Sequence, residues 1–259
     1  MKRLSYSIGT LVTNPVQYAE MRQSFEAKGF TPDVCEYLSI DNTGAAQTDA
    51  YAGLNQLLNR ASAPLVILCH QDLLLLEDGR TVLDRRLSEL TAQDPNWAIA
   101  ANAGGAGTRV IVRRITDKHG ADQNVGPFPH RVMSVDENFM VVRRETRIGF
   151  SRDLVGFHLY GADICLNAEI AGYSAYVIDF HLKHLGSGSM GPAFEVAEQA
   201  FRAKWQRALR DRPMQTTCTF MTLSGQPYPR AVTRVREKTR LRLARLRLAM
   251  QKRLGGGSK

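Results

Sequence analysis

A chain of 259 residues with 44% hydrophobic and 23% charged content is long enough for one large globular domain plus an appendage. No apolar run approaches the roughly 18 to 20 residues that cross a bilayer, and Ser5, Tyr6, Ser7, Gly9 and Thr10 break any signal-peptide core near the start. The net charge of +9 is uneven: eleven Lys and Arg against Glu237 alone from Arg230 onward place +10 in the tail and −1 in the rest, which weakens any reading of the whole protein as a nucleic-acid binder.

Leu4 to Val12 predicts a buried strand, and Asn14-Pro15 an N-cap followed by proline at the first helical position, with Gly29 as the stop. Val34 to Ile40 predicts a second strand. Tyr51, Leu54 and Leu58 give helical spacing from about Thr48 to Arg60. Leu65 to Cys69 is almost continuously apolar, as expected of a strand covered on both faces of a parallel sheet. A helix over Arg80 to Ala92 and a strand over Trp97 to Ala101 continue the alternation. The class is therefore α/β, an open mixed sheet flanked by helices, with ligands expected at the carboxyl ends of its strands.

The second half predicts strand pairs over Val132 to Val142, a helix over Tyr160 to Ala171 ended by Gly172, and a strand over Ala175 to Ile178. A Gly/Ser-rich loop from His184 to Gly191 and a helix over Pro192 to Arg210 follow. Ala103 to Gly107 lacks the Lys-Ser/Thr of a phosphate-binding loop and reads as a flexible turn. His119 and His130 read as parts of a surface loop, and no Gly-x-Ser-x-Gly sequence supports a serine hydrolase. Cys35, Cys69, Cys165 and Cys218 are widely spaced. Three lie in apolar segments and read as small buried thiols of a reducing cytoplasm.

The segment with most chemical content is Cys69-His70-Gln71-Asp72, directly after the most apolar strand. An acid there sits at the sheet's carboxyl edge, where it can hold Mg²⁺ or Mn²⁺. The plainer alternative is a strand-end turn with His70 and Asp72 bonded to local backbone.

Several motifs in order narrow the choice. Asn55, Ala61, the Leu65 to Cys69 strand and His70-Gln71-Asp72, then Val135-Asp136 before Phe139 to Val142, resemble a branch of the family 2-like glycosyltransferases. So do Phe157-His158-Leu159-Tyr160 with Asp163-Ile164-Cys165-Leu166, and His184 with Gly186 and Ser187. The branch is that of the streptomycin-biosynthesis-type proteins, and the match runs from about Leu4 to Trp205.

The resemblance implies a GT-A (Rossmann-like) fold and a metal-dependent, inverting transfer of sugar from a nucleotide-sugar donor to a hydroxyl acceptor: a glycan, a glycolipid or a small molecule. By the same token Asp72 and His184 are the metal ligands. Thr13, Asn14, Asp41, Asn55, His70, Gln71 and Asp72 surround the donor, and Asp136, His158 and Tyr160 lie on the acceptor side. Where the family motif has two acids two residues apart, this chain has Gly161 and Asp163. Asp163 is the expected base, with Asp153 or Asp136 as substitutes, an impaired site as a further outcome, and a helix cap as the plain reading. A rival function is a non-catalytic nucleotide- or glycan-binding protein on the same fold.

Three segments are expected: a transferase domain over 1–212, a connection over 213–229, and a basic amphipathic helix with a flexible end over 230–259. In the last, Val235, Thr239, Leu243, Leu246, Met250 and Leu254 form one helical stripe among Arg and Lys. Over residues 230–254 such a helix can lie on an anionic membrane surface, which would place the enzyme at the membrane's cytoplasmic face, or it can pack on the domain or a second subunit. Nucleic acid is the weaker partner, because no aromatic residue follows Tyr228.

Overall fold

The computed structural model describes residues 4–186, 191–225 and 230–255. Ser187 and the chain end from Gly256 lie outside the described residues. The chain divides into two compact units, Met1–Phe201 and Arg202–Lys259.

The first unit opens with β1 (Tyr6–Val12) and α1 (Pro15–Ala27), and Asn14 caps the helix by accepting from the amides of Val16 and Gln17. β2 (Cys35–Asp41), α2 (Ala50–Arg60) and β3 (Leu65–Cys69) follow, then β4 (Leu73–Leu75), α3 (Arg80–Gln93) and β5 (Trp97–Ala101). A run of short strands comes next: β6 (Ala103–Gly107), β7 (Val110–Thr116), β8 (Asp122–Val125), β9 (His130–Val132), β10 (Ser134–Val135) and β11 (Phe139–Arg143). α4 (Tyr160–Ile170), β12 (Ser174–Val177), β13 (Leu182–His184) and α5 (Pro192–Leu209) complete the order up to the second unit.

The main sheet runs β2-β1-β3-β11-β5-β12-β9, with β11 antiparallel to both β3 and β5. Along β3 the side chains alternate between two cores. Val66 and Leu68 join Leu54 and Leu57 of α2 and Ile164 of α4, while Ile67 and Cys69 join Met21 and Phe25 of α1 and Leu83, Leu87 and Leu90 of α3. Helices on both faces explain why β3 and β5 are continuously apolar. A second sheet, β10-β6-β7-β13-β4 with β8 against β7, stands beside the first.

The strand pairing departs from the sequence reading at three places. Ala103 to Gly107 is not a flexible turn but β6, paired with β7 from Ala103↔Arg113 onward. His130 is not in a loop but opens β9, opposite Val177. The strands around Asp136 do not pair with one another: β10 pairs with β6, and β11 with β3 and β5. Cys35, Cys69 and Cys165 are buried, and Cys218 is exposed.

In the second unit β14 (Arg212–Gln215) and β15 (Phe220–Leu223) form a hairpin, and α6 spans Arg230–Gly255. The start of α6 is tied to the hairpin region. Arg236 pairs with Asp211 at 3.1 Å, Glu237 accepts the Thr222 amide at 2.8 Å, and Arg240 donates to the Thr222 hydroxyl. Further along, Leu243, Leu246 and Met250 are exposed.

Candidate functional site

β3 ends at Cys69, and the next three residues turn out over the carboxyl edge of the main sheet. The turn is fixed at its start by the His70 amide donating to the Asn138 carbonyl at 2.9 Å. On its outer side Gln71 reaches back to the end of β1. Its Oε1 accepts the amides of Thr13 and Asn14 at 2.8 and 2.9 Å, and its amide nitrogen donates to the Thr13 hydroxyl.

β4 follows at once and pairs with β13, so that His184 lies opposite Leu73 and the Leu185 amide donates to the Asp72 carbonyl at 2.9 Å. This short ladder brings His184 to Asp72: Nε2 lies 3.3 Å from Oδ1. His70 completes the group with Nδ1 at 3.9 Å from the same oxygen. One ligating atom from each of His70, Asp72 and His184 lies within 4.8 Å of the other two. Sequence reasoning placed His70 with the donor; the structure groups it with the two expected metal ligands.

The protonation states suit a cation. The Tyr160 hydroxyl meets His70 Nε2 at 2.8 Å and donates its single proton to the Glu137 carbonyl at 3.3 Å. In the tautomer that carries its proton on Nε2, His70 turns the Nδ1 lone pair toward Asp72 and His184. Burial, reinforced by the neighbouring His184, holds the His70 pKa below its ordinary value and keeps the ring neutral. Burial alone would raise the Asp72 carboxyl, but the hydrogen bond from His184 and the electrostatic attraction of the His184 and His70 rings outweigh it, and the group stays below the usual range. Neutral imidazole and ionised carboxylate are the forms that ligate metals.

Space is reserved as well. A Cβ on Gly186 would stand 2.3 Å from Asp72 Oδ2 and 3.1 Å from His184 Nε2, so only glycine leaves this pair room. Two imidazoles and one carboxylate fit Mn²⁺ better than Mg²⁺, which prefers oxygen ligands.

Beside His70, Asp72 and His184 is a cavity of about 260 Å³ lined by Thr13, Gln71, Glu137, Phe157 and Tyr160 among others. A larger one of about 1330 Å³ lies at the amino end of β3, lined by Pro64, Leu65 and Arg143. Among the described residues, His70, Asp72 and His184 are the cluster able to hold a metal ion, so the smaller cavity is the chemically equipped one.

The other expected site residues divide. Thr13 and Tyr160 line the smaller cavity, and Tyr160 also braces His70. Asn14 is tied to Gln71 through its amide while capping α1. Asp41 is exposed at the end of edge strand β2, where its carboxylate accepts from the Thr43 hydroxyl and amide. Asp136 folds onto Asn138, taking its amide at 3.0 Å and its side-chain nitrogen at 2.6 Å. His158 packs edge-on against Phe194 at 5.5 Å.

Asn55 is not at this site. It clamps Phe150 from both sides, donating to the carbonyl at 2.9 Å and accepting the amide at 3.0 Å, and it lines the larger cavity. Asn55→Ala is expected to cost about 1–3 kcal/mol, because both backbone groups lose their partner. Thermal unfolding checks this; unchanged stability with a lost nucleotide response would return Asn55 to the donor site.

Asp163, the expected base, is fully buried. Its oxygens accept the Ser151 amide and hydroxyl, each at 2.7 Å, and the Asn167 side chain at 3.2 Å, and it does not line the smaller cavity. Its place in the fold is to anchor the segment before α4. Besides Asp72, the acid that lines the cavity is Glu137, which sequence reasoning passed over as part of a turn. Burial, with a smaller push from Asp136, raises its carboxyl to about 8, against hydrogen bonds from the first amides of α4.

An open mixed sheet with helices on both faces and an acid-bearing turn at its carboxyl edge is the GT-A fold. Solved glycosyltransferases share it. A mannosyltransferase from Pyrobaculum calidifontis in complex with GDP-Man and Mn²⁺ superposes with a TM-score of 0.54 at 16% identity, over 81% of this chain and 65% of that one. GalNAc-T7 with UDP, GalNAc and Mn²⁺ gives 0.53 at 9% identity, over 79% and 50%, and TarS of S. aureus with UDP-GlcNAc gives 0.51 at 12%, over 77% and 65%. The chain thus spans between half and about two-thirds of the length of these structures. No protein-family model matches the chain. A relative described as "ATP synthase subunits region ORF 6" of Fuscovulum blasticum is 35% identical over 231 residues, 87% of this chain and 93% of the relative, and the chain belongs to the family of that protein.

Proposed function

We propose that this protein is a metal-dependent glycosyltransferase that moves a sugar from a nucleotide-sugar donor to a hydroxyl acceptor with inversion, as in the streptomycin-biosynthesis-type branch it resembles. The observation that carries this reading is the convergence of His70, Asp72 and His184 beside a cavity at the carboxyl edge of a GT-A sheet. Those three residues would hold the cation, Mn²⁺ by preference, whose charge offsets that of the departing diphosphate. Gln71 holds the Thr13–Asn14 turn against the same edge, which makes it part of the donor wall. Thermal unfolding against a panel of nucleotide diphosphates and nucleotide sugars, with and without Mn²⁺, tests the proposal. A shift by one base family that needs the metal supports it, and no shift with any of them sinks it.

The buried Asp163 and the missing acid at Gly161 favour one alternative, a non-catalytic nucleotide- or glycan-binding protein. Binding without release of nucleoside diphosphate would select it.

The tail supports an anionic membrane surface as the place of action. Val235, Leu243, Leu246 and Met250 are exposed on a helix in a segment of net charge +10, and each basic residue near such a surface contributes about 1 kcal/mol. Among the described residues no helix is long and apolar enough to cross a membrane. The protein is expected to co-sediment with anionic vesicles, to stay in solution with neutral ones, and to lose binding on Leu243→Glu with Leu246→Glu. Vesicle binding unaffected by both substitutions would leave the stripe without this role and turn attention to self-association.

A further inference from the structure

Three acids stand near the start of α4, and only one faces the cavity. Asp163 is enclosed by Ser151 and Asn167, and Asp136 is folded onto Asn138. Glu137 lies in the turn between β10 and β11, with its side chain in the cavity wall beside His70, Asp72, Phe157 and Tyr160.

Its position is built rather than incidental. The Gly161 amide donates to Glu137 Oε1 at 3.3 Å, which fixes one oxygen over the first turn of α4. A Cβ on Gly161 would stand 3.2 Å from Glu137 Cγ and 2.3 Å from the Val135 carbonyl, so the glycine is what lets the Glu137 side chain lie there. Phe157, 43% exposed, gives the same cavity an apolar lip.

We propose that Glu137 is the general base that accepts the proton of the acceptor hydroxyl, an inference that rests on the transferase reading above. The acceptor oxygen forms its bond to the anomeric carbon while the bond from that carbon to the diphosphate oxygen breaks. The bonding pair leaves with the diphosphate, and the acceptor proton ends on the Glu137 carboxylate. A carboxyl held near 8 retains a proton more strongly than an ordinary one, which suits a base working near neutral pH. The groups around it are Asp136, whose charge raises it further, and the buried phenols of Tyr160 and Tyr51, both themselves raised by burial.

The test uses the full chain, Mn²⁺ and whichever nucleotide sugar stabilises the wild type. Glu137→Gln is expected to bind that donor within about threefold of wild type and to release nucleoside diphosphate at least about 100-fold more slowly, the scale of a lost base. Formate is expected to restore part of the rate to Glu137→Ala and none to Asp72→Ala. In the metal-free protein there is a separate readout. The folded carboxyl is raised from 4.5 to about 8, so wild-type stability falls as pH rises through that window, and Glu137→Gln should flatten the fall. If the Gln variant does not fold, Glu137→Asp is read in its place, with unchanged donor binding and at least a tenfold slower release expected.

A Glu137→Gln protein (or the Asp variant, where that is read) with turnover within threefold of wild type overturns the assignment and leaves the transferase reading standing. A wild type that binds no nucleotide sugar, or binds one without releasing diphosphate, overturns the transferase reading and this inference with it.

Discussion

Asp72→Ala is expected to abolish stabilisation by nucleotide and Mn²⁺ together while leaving the fold intact. The carboxylate is the one anionic member of the three-residue cluster, and both imidazoles are arranged around its Oδ1. Without it, two imidazole rings remain, and neither the negative charge nor the third donor of the cluster is present. In the wild type a ligand at 100 times its Kd adds about 2.7 kcal/mol. In a domain of this size each kcal/mol is about 2–4 °C, so a shift of roughly 5–10 °C should vanish. Asp72 is partly exposed, with 18% side-chain accessibility, so its removal should change the unliganded melting temperature little. Gly186→Ala reaches the same end by another route, since its methyl would meet Asp72 Oδ2 at 2.3 Å and wedge the carboxylate away from His184. If Asp72→Ala keeps the full metal-dependent shift, the cation is held elsewhere.

Gly161→Asp, which would supply the acid expected at this place from the motif the sequence resembles, is expected to damage the fold instead of improving catalysis. The new Cβ would lie 2.3 Å from the Val135 carbonyl oxygen, a backbone atom within β10. Backbone in a paired strand cannot move aside as a flexible side chain can, and forced overpacking costs about 1–3 kcal/mol or more. Gly161→Ala carries the same Cβ and the same penalty, whereas Gly44→Ala, with nothing within 4 Å, serves as a control. Melting temperatures of the three decide the matter: both 161 variants should fall by several degrees, and the control should not. A Gly161→Asp protein as stable as wild type would show that α4 can withdraw from β10.

What could be read in the sequence was whatever local pattern determines. The apolar run of β3, the Asn14 cap and the Tyr160 helix all declare themselves within a dozen residues, and the order of motifs led to Asp72 and His184 and to the fold class. The second sheet did not declare itself. Its strands β6 and β10 are five and two residues long, one of them rich in glycine, and their pairing is decided by partners distant in the chain. Asp163 carries the spacing of a reactive acid, yet its contacts are with Ser151, twelve residues earlier and outside any regular element. Glu137 was hidden for the same reason: the Gly161 amide that fixes its carboxylate lies twenty-four residues away, and the sequence marked Gly161 only as a missing acid.

The ladder that places His184 opposite Leu73 has a bearing on how proteins of this type diversify. Both partners of the Asp72–His184 contact are positioned by main-chain bonds of adjacent short strands, β4 and β13, with the Leu185 amide closing the last rung onto Asp72. Among the described residues, none beyond Leu185 contributes a rung to it. The Asp72–His184 contact therefore depends on the backbone pairing of β4 with β13 more than on which side chains those strands carry. A lineage built on this plan can vary the side chains of β4 and β13 while the geometry of the proposed cation site stays constant.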